Sequence, residues 1–230
     1  MSDLVLGDNR LLASVARSIP KEHLDLISIV ELPQYTVVCE ADNEVDDVYF
    51  PLSGMISMVV VMRDGKAVEV ATVGREGAVG AMAGLGKYVS QVRAIVQIAG
   101  TAARISASAF RRMVAEHRAL GVICTQYNEV LLDQARVTAA CNALHAVEAR
   151  FCRWLLQSSD RAGGDVIALT QEFLSEMLGV RRTSVTEVAQ KMQKLGLIHY
   201  VRGRITIIDR EGLKTVSCEC YQTLRERAPA

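Results

Sequence analysis

Residues 169–208 read LTQEFLSEMLGVRRTSVTEVAQKMQKLGLIHYVRGRITII. Thr170 stands where a helix N-cap belongs, because its hydroxyl can accept from an otherwise orphaned amide. Glu172 follows in the first turn, where an acid complements the helix dipole. Leu174, Met177 and Leu178 give this first helix an inner face, and Gly179 falls where a helix end calls for positive φ. A second helix starts near Arg182 or Thr183. Val185, Val188, Ala189, Met192 and Leu195 form its apolar side; Thr183, Thr186, Glu187, Gln190, Lys191 and Lys194 form a polar stripe opposite, and Gly196 ends it. Two short helices joined by a glycine-containing turn make a helix-turn-helix. Beyond it, residues 199–201 and 205–208 flank Arg202, Gly203 and Arg204, a β-hairpin with two arginines near its tip.

An ordinary helical hairpin would also place two amphipathic helices around a glycine. The hairpin that follows and the local charge argue for a nucleic-acid reader instead. Arg181, Arg182, Lys191, Lys194, Arg202 and Arg204 lie between 180 and 204 against one acid, Glu187. A second helix of this kind fits the major groove with its N-terminal residues at the base edges. Arginines at a hairpin tip suit the phosphate backbone, where they add affinity without reading sequence. The whole chain has no net charge, with 26 basic and 26 acidic residues, so no global field announces such a partner. The excess is local: from Val147 onward there are 13 basic and 10 acidic residues, against 13 and 16 before it.

Upstream the pattern changes twice. The first 30 residues read as short helices, with Leu11, Leu12, Val15 and Ile19 at helical spacing and Pro20 opening a second helix. From about 31 to 108, short β-branched runs at 35–39, 48–50, 55–62, 68–73, 92–98 and 102–105 alternate with turn residues. Residues 55–62 and 67–73, joined by Arg63, Asp64, Gly65 and Lys66, have the signature of a hairpin. Strands at this spacing predict an antiparallel barrel or sandwich. From about 107 the period is helical. Leu120, Ile123, Tyr127, Val130, Gln134, Val137, Cys141 and Leu144 are spaced alternately by three and four, a heptad seam that predicts a homodimer helix. Gln134 then takes the place of a polar residue that sets register. A further helix over about 146–158 carries Val147, Phe151, Trp154 and Leu155 on its buried face.

Taken in order, these pieces resemble the Crp/Fnr family (cyclic-AMP receptor protein and fumarate-nitrate regulator). The segment 169–208 resembles that family's winged helix. VYFPLSG at 48–54 and GREGAVG at 74–80 resemble its β-roll sensor, and the helix at 120–144 resembles its dimerisation helix. The resemblance implies an α+β fold: a cyclic-nucleotide-binding-like β-roll over 1–118, a long dimerisation helix over 119–145 and a winged helix-turn-helix over 146–230. It implies a homodimeric, sequence-specific transcription regulator on a palindromic operator. Double-stranded DNA is the expected partner, with RNA polymerase added if the protein is an activator. Base contacts are expected from Arg182, Thr183, Thr186 and Glu187, with Arg182 suited to guanine O6 and N7. Phosphate contacts are expected from Thr170, Arg181, Ser184, Arg202 and Arg204. The family often has Glu at the position of Thr183 and Arg at that of Glu187, so its familiar operator does not transfer.

The family's nucleotide pocket uses a Glu for the ribose and an Arg-Ser pair for the phosphate. Here the Glu position falls on Ala81 and the Arg-Ser position near Ser90 and Gln91, with Arg93 close by. The charge-assisted contacts such a ligand needs are missing, so cAMP is not the expected effector. Gly74, Gly77, Gly80 and Gly84 read as turn glycines of the roll. No cysteine precedes Cys39, against the iron-sulfur branch of the family. Cys218 and Cys220, placed on one terminal helix with Leu213, Val216 and Leu224, would lie about 200° apart. Cys141 reads as a buried thiol or a seam residue facing its dimer mate. His23, His117, His145 and His199 show no paired ligand spacing, so neither a metal nor another cofactor is expected. Trp154 reads as core.

Two other classes compete with this reading. A cupin-like barrel enzyme would need a His/Glu set on the strands, and residues 31–106 contain no histidine; an enzyme is not expected. A cyclic-nucleotide module acting on a protein partner would keep the phosphate arginine and lack a recognition helix. The N-terminus MSDLVLGDNR shows no secretory pattern, and no run reaches the length of a membrane span. A cytoplasmic protein is expected.

Overall fold

The computed structural model describes residues 7–16 and 19–227; the start of the MSDLVLGDNR segment lies outside them. Helices α1 (Arg10–Ala16) and α2 (Lys21–Leu24) lead into seven strands: β1 (Ser28–Leu32), β2 (Val37–Cys39), β3 (Asp47–Pro51), β4 (Met55–Val61), β5 (Ala67–Val73), β6 (Arg93–Ile98) and β7 (Gly100–Ser106). They form two antiparallel sheets, ordered β1-β7-β3 and β2-β6-β4-β5. Leu32 and Ala102 of the first pack with Ile56, Val73 and Val96 of the second, so a core runs between the sheets. The β4–β5 hairpin forms as its turn residues predict, with Gly65 at φ 81°.

Helix α3 (Ala107–Glu116) follows, capped by Ser106, whose hydroxyl accepts from the Ala109 amide. Helix α4 (Arg118–Leu144) packs on the roll, where Gln134 bonds the backbone of Thr72 in β5. Phe110, Met113, Leu120 and Cys124 bury there against Leu12, Val48 and Phe50. The chain turns at His145 and Ala146 into α5 (Val147–Ala162), then β8 (Val166–Ala168), α6 (Gln171–Leu178), α7 (Arg182–Lys194), β9 (Ile198–Val201), β10 (Arg204–Ile207), α8 (Arg210–Val216) and α9 (Cys220–Arg227). A third sheet, β8-β10-β9, backs the helices.

Three expectations change, and one strand is added. The first 30 residues are not all helical: β1 begins at Ser28, and its mostly exposed face hid the alternation a strand normally shows. The three-residue β8 is set by pairing with β10 rather than by its own sequence. The terminal helix is two helices, because Ser217 takes an extended ψ of 157° and breaks it. Cys218 therefore precedes α9 and does not share a helix with Cys220. The heptad seam also divides. Leu120, Tyr127, Gln134 and Cys141 are buried within their own chain. Ile123, Val130 and Val137 are half-buried and Leu144 is exposed, so only this second row remains open to a partner.

Candidate nucleic-acid interface

The first helix of the motif is fixed at both ends. Thr170 Oγ1 accepts from the Phe173 amide at 3.2 Å. At the other end Gly179 has φ 61°, and the amides of Gly179 and Val180 each answer a carbonyl of the last turn at 3.0 Å. A non-glycine residue there would be strained. Arg181, in extended backbone, then opens α7. Val185, Val188, Ala189 and Met192 bury against Leu174, Met177 and Leu178, which leaves the polar stripe facing outward.

Arg181, Arg182, Thr183, Glu187, Gln190 and Lys194 are exposed. Arg182 Nη1 lies 3.7 Å from Glu172 Oε2, with both side chains open to solvent. A pair of that kind is worth at most about 1 kcal/mol, so it does not hold the guanidinium back from a competing acceptor. Ser184 is half-buried. Thr186 is also half-buried, and its hydroxyl lies 2.9 Å from Gln171 Oε1 and 3.0 Å from the Arg182 carbonyl. It braces one helix on the other.

The hairpin tip is a two-residue turn with φ 49° at Arg202 and 74° at Gly203. Positive φ at both central residues is the type I′ geometry that matches strand twist. Arg202 and Arg204 are exposed at it. Several residues that position this surface escaped the sequence reading. Gln193 Oε1 accepts from the Tyr200 amide at 2.7 Å, which ties β9 to α7. Tyr200 Oη donates to the Leu169 carbonyl at 3.2 Å. Lys191 is exposed, as expected of the outward stripe, and its ammonium also pairs with Glu148 at 3.2 Å. Such cross-element partners carry no local sequence signal.

The winged helix packs on the β-roll. Met55 and Val59 of β4 belong to the same core as Phe151, Trp154, Met177 and Leu178. The turn at Gly179 rests on Val68, and Gln34 Nε2 donates to the Ala168 carbonyl at 2.8 Å. Glu69, buried on β5, accepts from Trp154 Nε1 at 2.8 Å and from Ser57 Oγ at 2.6 Å. Burial pushes its carboxyl up to about 7, against these two hydrogen bonds and the charges of Arg153 and Arg161. Glu76 takes the opposite balance. Burial raises it, but Arg161 at 3.0 Å and the Gly74 amide outweigh that and hold it below the usual carboxylate range.

In the roll, the cavity beside Ala81 and Ser90 is about 40 Å³ and has no charged residue in its lining. Ligand pockets run to roughly 300 Å³ or more. Ser90, in the lining, donates its hydroxyl to the Val92 carbonyl at 2.7 Å, and Arg93, outside the lining, pairs with Glu40 at 2.8 Å. The sensor glycines are spaces for neighbours: a Cβ on Gly77 would sit 1.7 Å from Tyr127 Oη, and one on Gly84 2.7 Å from Phe110.

Cys141 is buried, the first of its two readings, and faces not a dimer mate but Cys218 of its own chain, with the sulfurs 3.5 Å apart. Cys220 Sγ lies 3.6 Å from His145 Nδ1. The break after α8 brings together residues that a single helix would have held apart. Among the described residues, no helix is long and apolar enough to cross a membrane.

Comparison with known proteins agrees with this geometry. Residues 29–117 match the cyclic nucleotide-binding domain family, and residues 149–216 match the Crp-like helix-turn-helix domain family. No curated protein sequence matches the chain. Among solved structures, FixK2 from Bradyrhizobium japonicum superposes with a TM-score of 0.70 at 14% identity, covering 84% of this chain and 98% of its own. A CRP-family transcriptional regulator from Thermus thermophilus superposes with a TM-score of 0.69 at 18% identity, covering 82% and 96%. A CRP/FNR-family regulator from the same organism gives 0.66 at 21%, covering 83% and 98%. With a cyclic nucleotide-binding-like roll, a long connecting helix and a Crp-like winged helix in that order, the chain belongs to the Crp/Fnr family of DNA-binding transcription regulators.

Proposed function

We propose that the chain acts as a homodimer on a palindromic operator, with 1–118 as sensor, 119–145 as dimerisation helix and 146–230 as reader. The observation that carries this reading is the exposure of Arg181, Arg182, Thr183 and Glu187 on the first turns of a helix whose opposite side is buried. Arg182 meets guanine, Glu187 accepts from cytosine N4, and Thr183 and the Thr186 methyl meet thymine. Thr170, Arg181, Ser184, Arg202 and Arg204 hold the backbone. Ile123, Val130, Val137 and Leu144 form the contact between protomers, the row of the seam that the chain leaves uncovered.

The effector is not cAMP in this reading. The cavity is small and uncharged, and Arg93 is not among its lining residues. A signal in the roll acts through the docked face at Glu69 and Trp154 and through the α4–α5 turn. It changes the population of the setting in which two recognition helices match half-sites about 34 Å apart. Nuclease protection on promoter DNA, with light scattering of the same complex, tests this. A two-fold symmetric footprint with two chains bound is expected; a monomer at saturating concentration contradicts it.

A further inference from the structure

Cys141 and His145 stand one turn apart at the end of α4, on one face of the helix. Cys218 and Cys220 flank the break that leads into α9. One donor atom from each of the four lies within 4.8 Å of the others. The three thiols are buried, and His145 is partly so. For Zn–S near 2.3 Å and Zn–N near 2.0–2.1 Å, a regular tetrahedron has S–S edges of about 3.8 Å and S–N edges of about 3.6 Å. The Cys141–Cys218 and Cys220–His145 separations are 3.5 and 3.6 Å.

We propose that Cys141, His145, Cys218 and Cys220 form a closed tetrahedral zinc site that staples the reader to the end of the dimerisation helix. Three thiolates and one imidazole suit zinc, and four protein donors leave no open position, the pattern of a structural site. The outer contacts fit. His145 turns Nδ1 to the cluster and Nε2 to Glu219 Oε1 at 3.1 Å, so the carboxylate fixes the tautomer that leaves Nδ1 free to ligate. Zinc with three thiolates carries one net negative charge. The buried guanidiniums of Arg150 and Arg153 act electrostatically on Cys141, and the Nε of each has no hydrogen-bond partner. Binding sends the three thiol protons to solvent and makes four bonds to the ion.

The site lies beside His145 and Ala146, where α4 gives way to α5, and it joins residues 77 apart in sequence. An ion there fixes the angle at which the winged helix leaves the dimerisation helix. Its loss removes one tie between the segment joining α8 to α9 and the end of the dimerisation helix, while Leu213 and Tyr221 stay packed in the winged-helix core.

The test is metal analysis of the full chain, purified without a histidine tag or chelator. One zinc per chain is expected, with no iron or acid-labile sulfide. Cys218→Ser loses the zinc, whereas Cys124→Ser, buried in the sensor, retains it. Cobalt(II) added to chelator-stripped wild-type chain is expected to give the intense visible bands of a tetrahedral thiolate site, a readout that needs no variant to fold. The proposal is overturned by a metal-free chain that also fails to give that cobalt spectrum. Iron with sulfide, zinc retained by a folded Cys218→Ser chain, or a native Cys141–Cys218 disulfide each overturns it as well.

Discussion

Trp154 of α5 donates its indole N–H to the buried carboxylate of Glu69 on β5, 2.8 Å away, and so joins the reading head to the sensor sheet. A polar contact inside an apolar interface fixes one register, since sliding it would leave both partners unsatisfied. The same carboxylate takes the Ser57 hydroxyl at 2.6 Å.

Stability is expected to fall as pH rises across this contact. The Glu69 carboxyl is raised from 4.5 to about 7 in the fold. Below 4.5 folded and unfolded chains both hold the proton. Between 4.5 and 7 only the folded chain keeps it, so the folded state loses up to about 3 kcal/mol through that window. Glu69→Gln keeps an acceptor for Trp154 and removes the charge. Urea unfolding of the variant between pH 5 and 8 should show a flatter slope and a gain at pH 8. An unchanged slope would remove Glu69 from the account.

Gly77 is a glycine because Tyr127 occupies the space of its side chain, 1.7 Å from where a Cβ would stand. Gly77→Ala must displace α4 or the turn, at a cost of about 1–3 kcal/mol. Thermal unfolding should register that as a lower Tm. On a Tyr127→Ala background the same change should cost clearly less, a coupling that two independent sites would not show.

Arg182→Ala should weaken operator binding by about 1–3 kcal/mol and relax preference at one base position. Fluorescence anisotropy against single-base operator variants would measure both. Unchanged affinity and preference would move the base contact elsewhere on α7.

Arg204→Ala should act differently, because a hairpin-tip arginine meets phosphate. Affinity should drop about equally on operator and unrelated duplex. The slope of log K against log salt should become shallower by about 1. A loss confined to the operator would make Arg204 a reader of bases.

Much of this is legible in sequence because it is written in local pattern. The β4–β5 hairpin, Gly179 at its helix end and the apolar side of α7 each follow from spacing and turn chemistry. What escapes depends on neighbours distant in the chain. Trp154 reads as core from its helix face, but its partner lies 85 residues away. The heptad seam reads as one surface, yet the N-terminal half of the chain covers Leu120, Tyr127 and Gln134, Cys218 and Cys220 cover Cys141, and the alternate row is left half-buried or exposed. On an unbroken helix Cys218 and Cys220 would face apart. Only the extended backbone at Ser217 turns them toward Cys141 and His145.

In the function proposed above, α7 reads DNA as one half of a symmetric pair. Selection of bound sequences from a pool of random duplexes by the wild-type chain tests this. An inverted repeat with half-site centres about one helical turn apart is expected, with a guanine position lost when Arg182→Ala is selected in parallel. Recovery of no enriched sequence, or of a single unpaired half-site bound by one chain, would contradict it.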